Sequence, residues 1–229
     1  MTSHRDGLYV VGLLLLTMAT GAVDAVAYLA LGQVFAGNMT GNVLFVGFGF
    51  AAEGGIPLLN TVIALAAFIL GVVVCGLLVR GRDQGTRMPT VNLLALGVGA
   101  AVVVAVGATW PRAENLTGAW VPVVTGVLAV VMGSQAAAVR GAHVRDISTV
   151  VVTTTLVNLA LDNPLVGGTG DAWVRRAGAV VALSAGAFGG ALSVRAWSGS
   201  GGLLLAGALM VVGTVTLARA RHRERATTV

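Results

Sequence analysis

The chain has 229 residues, 56% of them hydrophobic and only 10% charged, with a formal net charge of +5. Soluble domains carry about 25% charged residues, so a deficit spread over the whole length excludes a soluble domain, with or without an anchor, and implies several membrane crossings. The basic residues are all Arg and lie in short stretches between apolar runs, not on a face interleaved with aromatics, which excludes a nucleic-acid-binding surface.

The first apolar run, Leu8 to Leu31, exceeds the roughly 7–15 residues of a signal-peptide core and contains Asp24, so it reads as an uncleaved first span. The second, Met39 to Ala52, is short and opens on a polar cluster, Asn38-Met39-Thr40-Gly41-Asn42. Then come Pro57 to Val79, Met88 to Thr109 and Ala119 to Val139, a second short run from Ser148 to Leu161, and finally Trp173 to Val194 and Gly201 to Leu217. Six runs approach the roughly 20 residues a spanning helix needs; the two short ones, at about 1.5 Å per residue, reach about 21 Å of a core about 30 Å thick. Ten-residue alternating segments, the mark of a membrane β-barrel, are absent, and helices are the other way to satisfy the backbone in lipid. Cys75 lies within an apolar run and reads as a small apolar side chain. Trp110, Trp120, Trp173 and Trp197 fall at span ends, where interfacial aromatics belong.

The Arg positions select a topology. With six spans, two half-spanning or re-entrant segments and a cytoplasmic N-terminus, Arg5, Arg80, Arg82, Arg87, Arg140, Arg145, Arg175, Arg176, Arg219, Arg221, Arg223 and Arg225 lie inside and only Arg112 and Arg195 outside. If all eight runs cross, the asymmetry nearly vanishes, so the six-span topology fits the positive-inside rule, with both termini cytoplasmic. The order long, short, long, long occurs twice, over about 8–109 and 119–218, and an offset of 113 lays Thr40 on Thr153. Three spans per repeat is an odd number, so the halves are expected to be inverted, an arrangement that builds transport sites near the midplane from broken helices. Residues 1–229 then form one membrane domain.

Asp24 is the one acidic residue deep in a span. A carboxylate there costs about 2.5–3.5 kcal/mol on insertion scales and is usually paired, protonated or facing an aqueous path. Helical spacing places Thr17, Gly21, Asp24, Tyr28 and Gly32 on one small, polar stripe. Asn38 and Thr40 are candidate N-caps, Gly41 admits a close neighbour, and Asn42 needs a definite partner in lipid. The helix they open offers free backbone N–H groups to an anion or carboxylate. In the second half the candidates are Gln135 and the hydroxyls of Thr153, Thr154 and Thr155, which serve equally as helix-packing groups. No nucleophile–base pair, phosphate-binding motif or metal-ligand spacing is present in the sequence, so neither an enzyme nor a cofactor or metal is expected.

The pattern Gly21-x-x-Asp24-Ala25, then Phe35-x-x-Asn38-Met39-Thr40-Gly41-Asn42, resembles the YoaK-like family of bacterial membrane proteins, a domain of unknown function. Gly133-x-Gln135 and Ser148 to Leu156 are similar to the family's second half. The resemblance implies six spans in a bacterial membrane and brings no activity with it. The expectation is an all-α, six-span inner-membrane protein that moves a small solute or ion. Its site would lie where the two short segments meet, with Asp24, Tyr28, Asn38, Thr40, Gly41 and Asn42 on one side and Gln135, Thr153, Thr154 and Thr155 on the other. A passive channel and a non-transporting assembly or regulatory protein are the alternatives. Its partners would be the bilayer and that solute, with a homo-oligomer left open.

Overall fold

Apolar runs punctuated by proline and glycine become helices. The computed structural model describes residues 4–52, 55, 57–80, 88–111, 116–140, 152–162 and 173–226. These contain seven α-helices and no strand: α1 (His4–Ala30), α2 (Met39–Phe50), α3 (Leu58–Val79), α4 (Thr90–Thr109), α5 (Trp120–Arg140), α6 (Val152–Leu161) and α7 (Trp173–Ala226). Five of them, α1, α3, α4, α5 and α7, are long and apolar enough to cross a membrane. Pro57 and Pro89 stand immediately before α3 and α4, where their fixed φ suits helix entry and their missing N–H costs nothing.

At 54 residues α7 would be about 81 Å long if straight, more than twice a hydrocarbon core. It is broken at Trp197 (φ −140°, ψ 27°) and Ser198 (φ 53°, ψ −160°) into a first limb, 173–196, and a second, 199–226. The second limb outruns the expected Leu217. Its Arg- and Ala-rich tail is a good helix former and is held by Tyr9 Oη donating to Glu224 Oε2 at 2.7 Å and by Arg221 bonding Thr90 Oγ1 at 2.6 Å.

Glycine sets which helices touch. A Cβ on Gly21 would strike the backbone of Leu183 and Ala187, and one on Gly186 the backbone of Met18, so α1 and the first limb of α7 meet main chain to main chain, running parallel. Helices α3 and α5 use the same device: a Cβ on Gly133 would strike Phe68 and Val72, and one on Gly71 would strike Val130. Helix α4 runs antiparallel to the second limb, with Gly107 against Leu203 and Leu204, Gly207 against Val104, and Gly199 against Trp110. Trp110 is therefore packed inside at 4% exposure, whereas Trp120, Trp173 and Trp197 are exposed, as interfacial anchors would be. Without a hydrophobic drive between helices in lipid, such close approach supplies the contact. On α3 the large side chains Leu59, Ile69, Leu70 and Val73 face outward while Asn60, Thr61, Ala64 and Gly71 face in. This is the polarity expected when the solvent is hydrocarbon.

Among the described residues helix α2 packs on α3 and α6 on α7, not on one another, so the expectation that the two short segments meet does not hold for them. Each instead lies against the long helix that follows it. Gly49 of α2 meets Leu58 at the start of α3. Near the C-terminal end of α6, Arg176 donates to the Asn158 carbonyl at 3.0 Å and pairs with Asp162 at 2.7 Å. Of the predicted second short run, residues 148–151 lie outside the described residues, as do Arg5's side chain, Arg82, Arg87, Arg112 and Arg145.

Candidate functional site

The chain turns back at the end of α1. Gly32 (φ +82°) takes the left-handed position after the helix, and Gln33 N–H donates to the Tyr28 carbonyl at 3.1 Å, closing a Schellman-type end. The following segment descends beside α1 until the backbone N–H groups of Ala36 and Gly37 donate to Asp24 Oδ1 at 2.9 and 2.7 Å. Asp24 lies six residues before the end of α1, so this contact sits about 9 Å below it. Helix α2 begins at that depth and climbs back. Asn60, two residues into α3, donates to the Leu31 carbonyl at 2.7 Å, which brings the start of α3 level with the end of α1. The sequence places a carboxylate receptor at the mouth of α2. The carboxylate received there belongs to the chain itself.

Gly37 is small for a reason: a Cβ there would meet Thr20 Cγ2 at 2.9 Å and both Asp24 oxygens at about 3.4–3.5 Å. Asn42, fully buried, fixes the segment from the other side. Its Oδ1 accepts from Phe35 N–H at 2.9 Å and its Nδ2 donates to the Phe35 carbonyl at 2.7 Å, so one amide satisfies both polar groups of a residue. Phe35 is thereby presented to Tyr28, with ring centroids 5.3 Å apart and 20° between planes, and to Phe45 at 5.7 Å and 15°. A Cβ on Gly41 would meet the Phe35 ring at 2.8 Å, so this glycine admits an aromatic ring and not another backbone.

Asn38 occupies the N-cap position of α2 but its side chain makes no cap bond, and Thr40 is already inside the helix and exposed, so neither caps. The expected stripe divides. Thr17 bonds its own helix at the Leu13 carbonyl, and Gly32 serves the turn. Gly21, Asp24 and Tyr28 line a cavity of about 350 Å³ with Phe35, Asn38 and, from the first limb of α7, Leu183, Ala187 and Ala191. Asp24 is only 9% exposed, and its Oδ1 accepts both the Ala36 and the Gly37 N–H. Among the described residues, no cationic side chain lines the cavity.

Gln135 reaches this region from α5. Its Nε2 donates to Thr20 Oγ1 at 2.9 Å, so Gln135, Thr20, Gly37 and Asp24 form one contiguous set. Thr153 and Thr154 are exposed on α6 and Thr155 is buried, and none of them lines the Asp24 cavity. Thr20 and the α7 residues were missed by sequence reasoning. Thr20 could have been found one helical turn before Asp24; nothing in the sequence brings residues 183–191 to this place. Among the described residues, no three His, Cys, Asp or Glu side chains come together as a metal site would require.

Residues 12–216 match the family described as "Protein of unknown function (DUF1275)". The UPF0700 transmembrane protein YoaK of Bacillus subtilis (strain 168) is 32% identical over 150 residues, covering 65% of this chain and 64% of that protein. The chain thus spans a little under two thirds of that relative's length. No solved structure matches. With its apolar helices and a family match over most of its length, this is a multi-pass membrane protein, and the chain belongs to the DUF1275, YoaK-like family.

Proposed function

We propose that this protein is a transporter of a small solute or ion in the bacterial inner membrane, built from two inverted three-span repeats. Asp24 is at the centre of its site. The observation that carries the proposal is the state of that carboxylate: deep in an apolar bundle, fastened to loop amides, and facing a cavity. Buried ionisable groups in membrane helices are expensive and mark pathways for ions and substrates. The segment that fastens it is irregular backbone at membrane depth, which lipid tolerates only where protein or a cavity surrounds it. We infer neither an enzymatic reaction nor a cofactor.

The glycine contacts support the inverted repeat. Met18 and Gly21 of α1 play the parts of Val130 and Gly133 of α5, each 112 places on. Phe68, Gly71 and Val72 of α3 play the parts of Leu183, Gly186 and Ala187 in α7, each 115 places on. Helix α4 and the second limb of α7 pair with each other: Val104 and Gly107 correspond to Leu204 and Gly207, and Gly99 and Trp110 to Gly199 and Met210, all 100 places on. Reciprocal contacts of this kind are what a two-fold axis relating the halves would produce. Counting the limbs of α7 separately gives six crossings. Arg80, Arg140, Arg175, Arg176 and the Arg residues after 218 then lie at the end marked by Tyr9 and Glu224, which we assign to the cytoplasm.

The test is flux through proteoliposomes holding the full chain, challenged with labelled metabolites and ions under an imposed proton gradient. At least one should accumulate above protein-free vesicles, and Asp24→Asn should abolish that accumulation. Flux that only equilibrates would mark a passive channel; an Asp24→Asn variant that accumulates substrate normally would remove Asp24 from the site. Reporter fusions after Val79 and after Leu217 should report cytoplasm and one after Thr109 the outside; a cytoplasmic signal after Thr109 would sink the inverted repeat.

A further inference from the structure

We infer that the Asp24 cavity takes a small organic cation, an ammonium group carrying apolar substituents. This rests on the reading of Asp24 as the substrate site and adds the substrate's chemical class. The polar content of the cavity is one-sided. Asp24 contributes a carboxylate that is nine-tenths buried, and the other lining residues are Gly21, Ala25, Tyr28, Leu29, Phe35, Asn38, Leu183, Ala187 and Ala191, with no Arg or His among them. The loop amides of Ala36 and Gly37, which could have served an anion, are committed to Asp24 Oδ1. An anionic ligand would therefore meet a buried negative charge with only the neutral Asn38 amide and Tyr28 hydroxyl as side-chain donors and, among the described residues, no cationic side chain in the lining to offset it.

The walls separate an organic cation from a metal ion. Calcium and magnesium ions need about six or more oxygen ligands in a tight shell. Here the oxygen-bearing side chains are Asp24, Asn38 and Tyr28, set among alanine, leucine and aromatic surface. Tyr28 and Phe35 both line the cavity, and aromatic rings attract an ammonium group with low hydration. A carboxylate for the charge, aromatic and aliphatic walls for its substituents and a cavity of about 350 Å³ match a molecule of choline's size better than a bare ion. Phe45 and Phe48, which extend the aromatic row from Phe35, continue this surface beyond the cavity.

The experiment is thermal unfolding of the purified full chain with tetramethylammonium, choline, and 3,3-dimethylbutan-1-ol, the uncharged carbon isostere of choline, against sodium chloride at equal ionic strength. The two ammonium ions should stabilise the protein, with choline bound at least about tenfold more tightly than its neutral isostere. Tyr28→Leu, at a position 38% exposed, should weaken choline about 5–30-fold, and Asp24→Asn should remove the shift. The inference is overturned if the isostere binds as well as choline, if sodium stabilises as much as tetramethylammonium, or if Tyr28→Leu leaves choline affinity unchanged. The last comparison carries the test should Asp24→Asn fail to fold. Asp24-dependent stabilisation by a neutral or anionic solute alone would overturn the class and leave Asp24 as the site. Asp24-dependent binding of choline without flux in proteoliposomes would support the class and overturn transport.

Discussion

At the junction of α1 and α2, a fully buried Asn42 holds both polar groups of Phe35, and Asp24 holds the next two backbone N–H groups. On the other short helix, α6, which the proposed repeat sets opposite α2, Thr153 and Thr154 are exposed, and bonds at its far end join Arg176 to Asn158 and Asp162. Matching the halves by their glycine contacts sets Asp24 against Ala136, and Gln135 against Val23. In the proposed repeat the glycine contacts recur in both halves, while among the described residues the buried carboxylate belongs to the first half.

The largest effects should come from the framework and should be alike in both halves. Val in place of Gly186 would drive its side chain into the Met18 backbone, and Val in place of Gly71 would do the same to Val130. Backbone cannot move aside as a flexible side chain can, so each should cost about 3 kcal/mol or more. The readout is the yield of monodisperse protein in detergent and its unfolding midpoint. Loss in Gly186→Val with tolerance of Gly71→Val would show that the two interfaces are not mechanically equivalent.

Next is the contrast between the short helices. Asn42→Ala leaves the Phe35 N–H and carbonyl without their partners, a cost of about 1–3 kcal/mol per buried group. Thr154→Ala, at an exposed position, should stay within about 0.5 kcal/mol. Equal losses would mean that α6 carries buried chemistry of its own. Asp24 gives a finer division. Asp24→Leu strands the Ala36 and Gly37 N–H groups and should cost about 2–4 kcal/mol, whereas Asp24→Asn keeps an oxygen to receive them and should unfold within about 1 kcal/mol of the parent. A strong loss in Asp24→Asn would show that the negative charge itself, and not the acceptor, holds the loop.

Much of this was legible because lipid makes polar residues conspicuous. Asp24 and Asn42 stood out since each needs a partner where water supplies none. The place of α2 followed from its length, and the glycines of α1 hinted at close packing. What could not be read was the partner of each group. Asn42 binds backbone seven residues earlier and Asp24 backbone twelve and thirteen residues later, and a backbone N–H has no residue identity to recognise. The three Thr residues of α6 looked like a counterpart to the first cluster because composition records hydroxyls and not which way they face. Trp110 looked like an interfacial anchor and is a packing residue, because only the fold brings Gly199 beneath its ring.

The smallest effect on stability concerns Gln135, which lies on the boundary between the halves. Its Nε2 is bound to Thr20 Oγ1 at 2.9 Å, and its Oε1 is buried without a partner among the described residues. Gln135→Met keeps the length of the side chain, loses the bond to Thr20 Oγ1 and a long one, 3.4 Å, to the Leu16 carbonyl, and removes one unpaired acceptor. The losses and the gain oppose each other, so the net change in stability should be about 1 kcal/mol or less. Transport or ligand affinity then decides the residue's part. Thr20 touches Gly37, and Gly37 fastens Asp24, so a Gln135 that tunes the carboxylate will change ligand affinity while the unfolding midpoint stays still. If affinity and midpoint both hold, Gln135 joins α5 to α1 and does nothing more, and the chemistry of the site belongs to the first half and the first limb of α7.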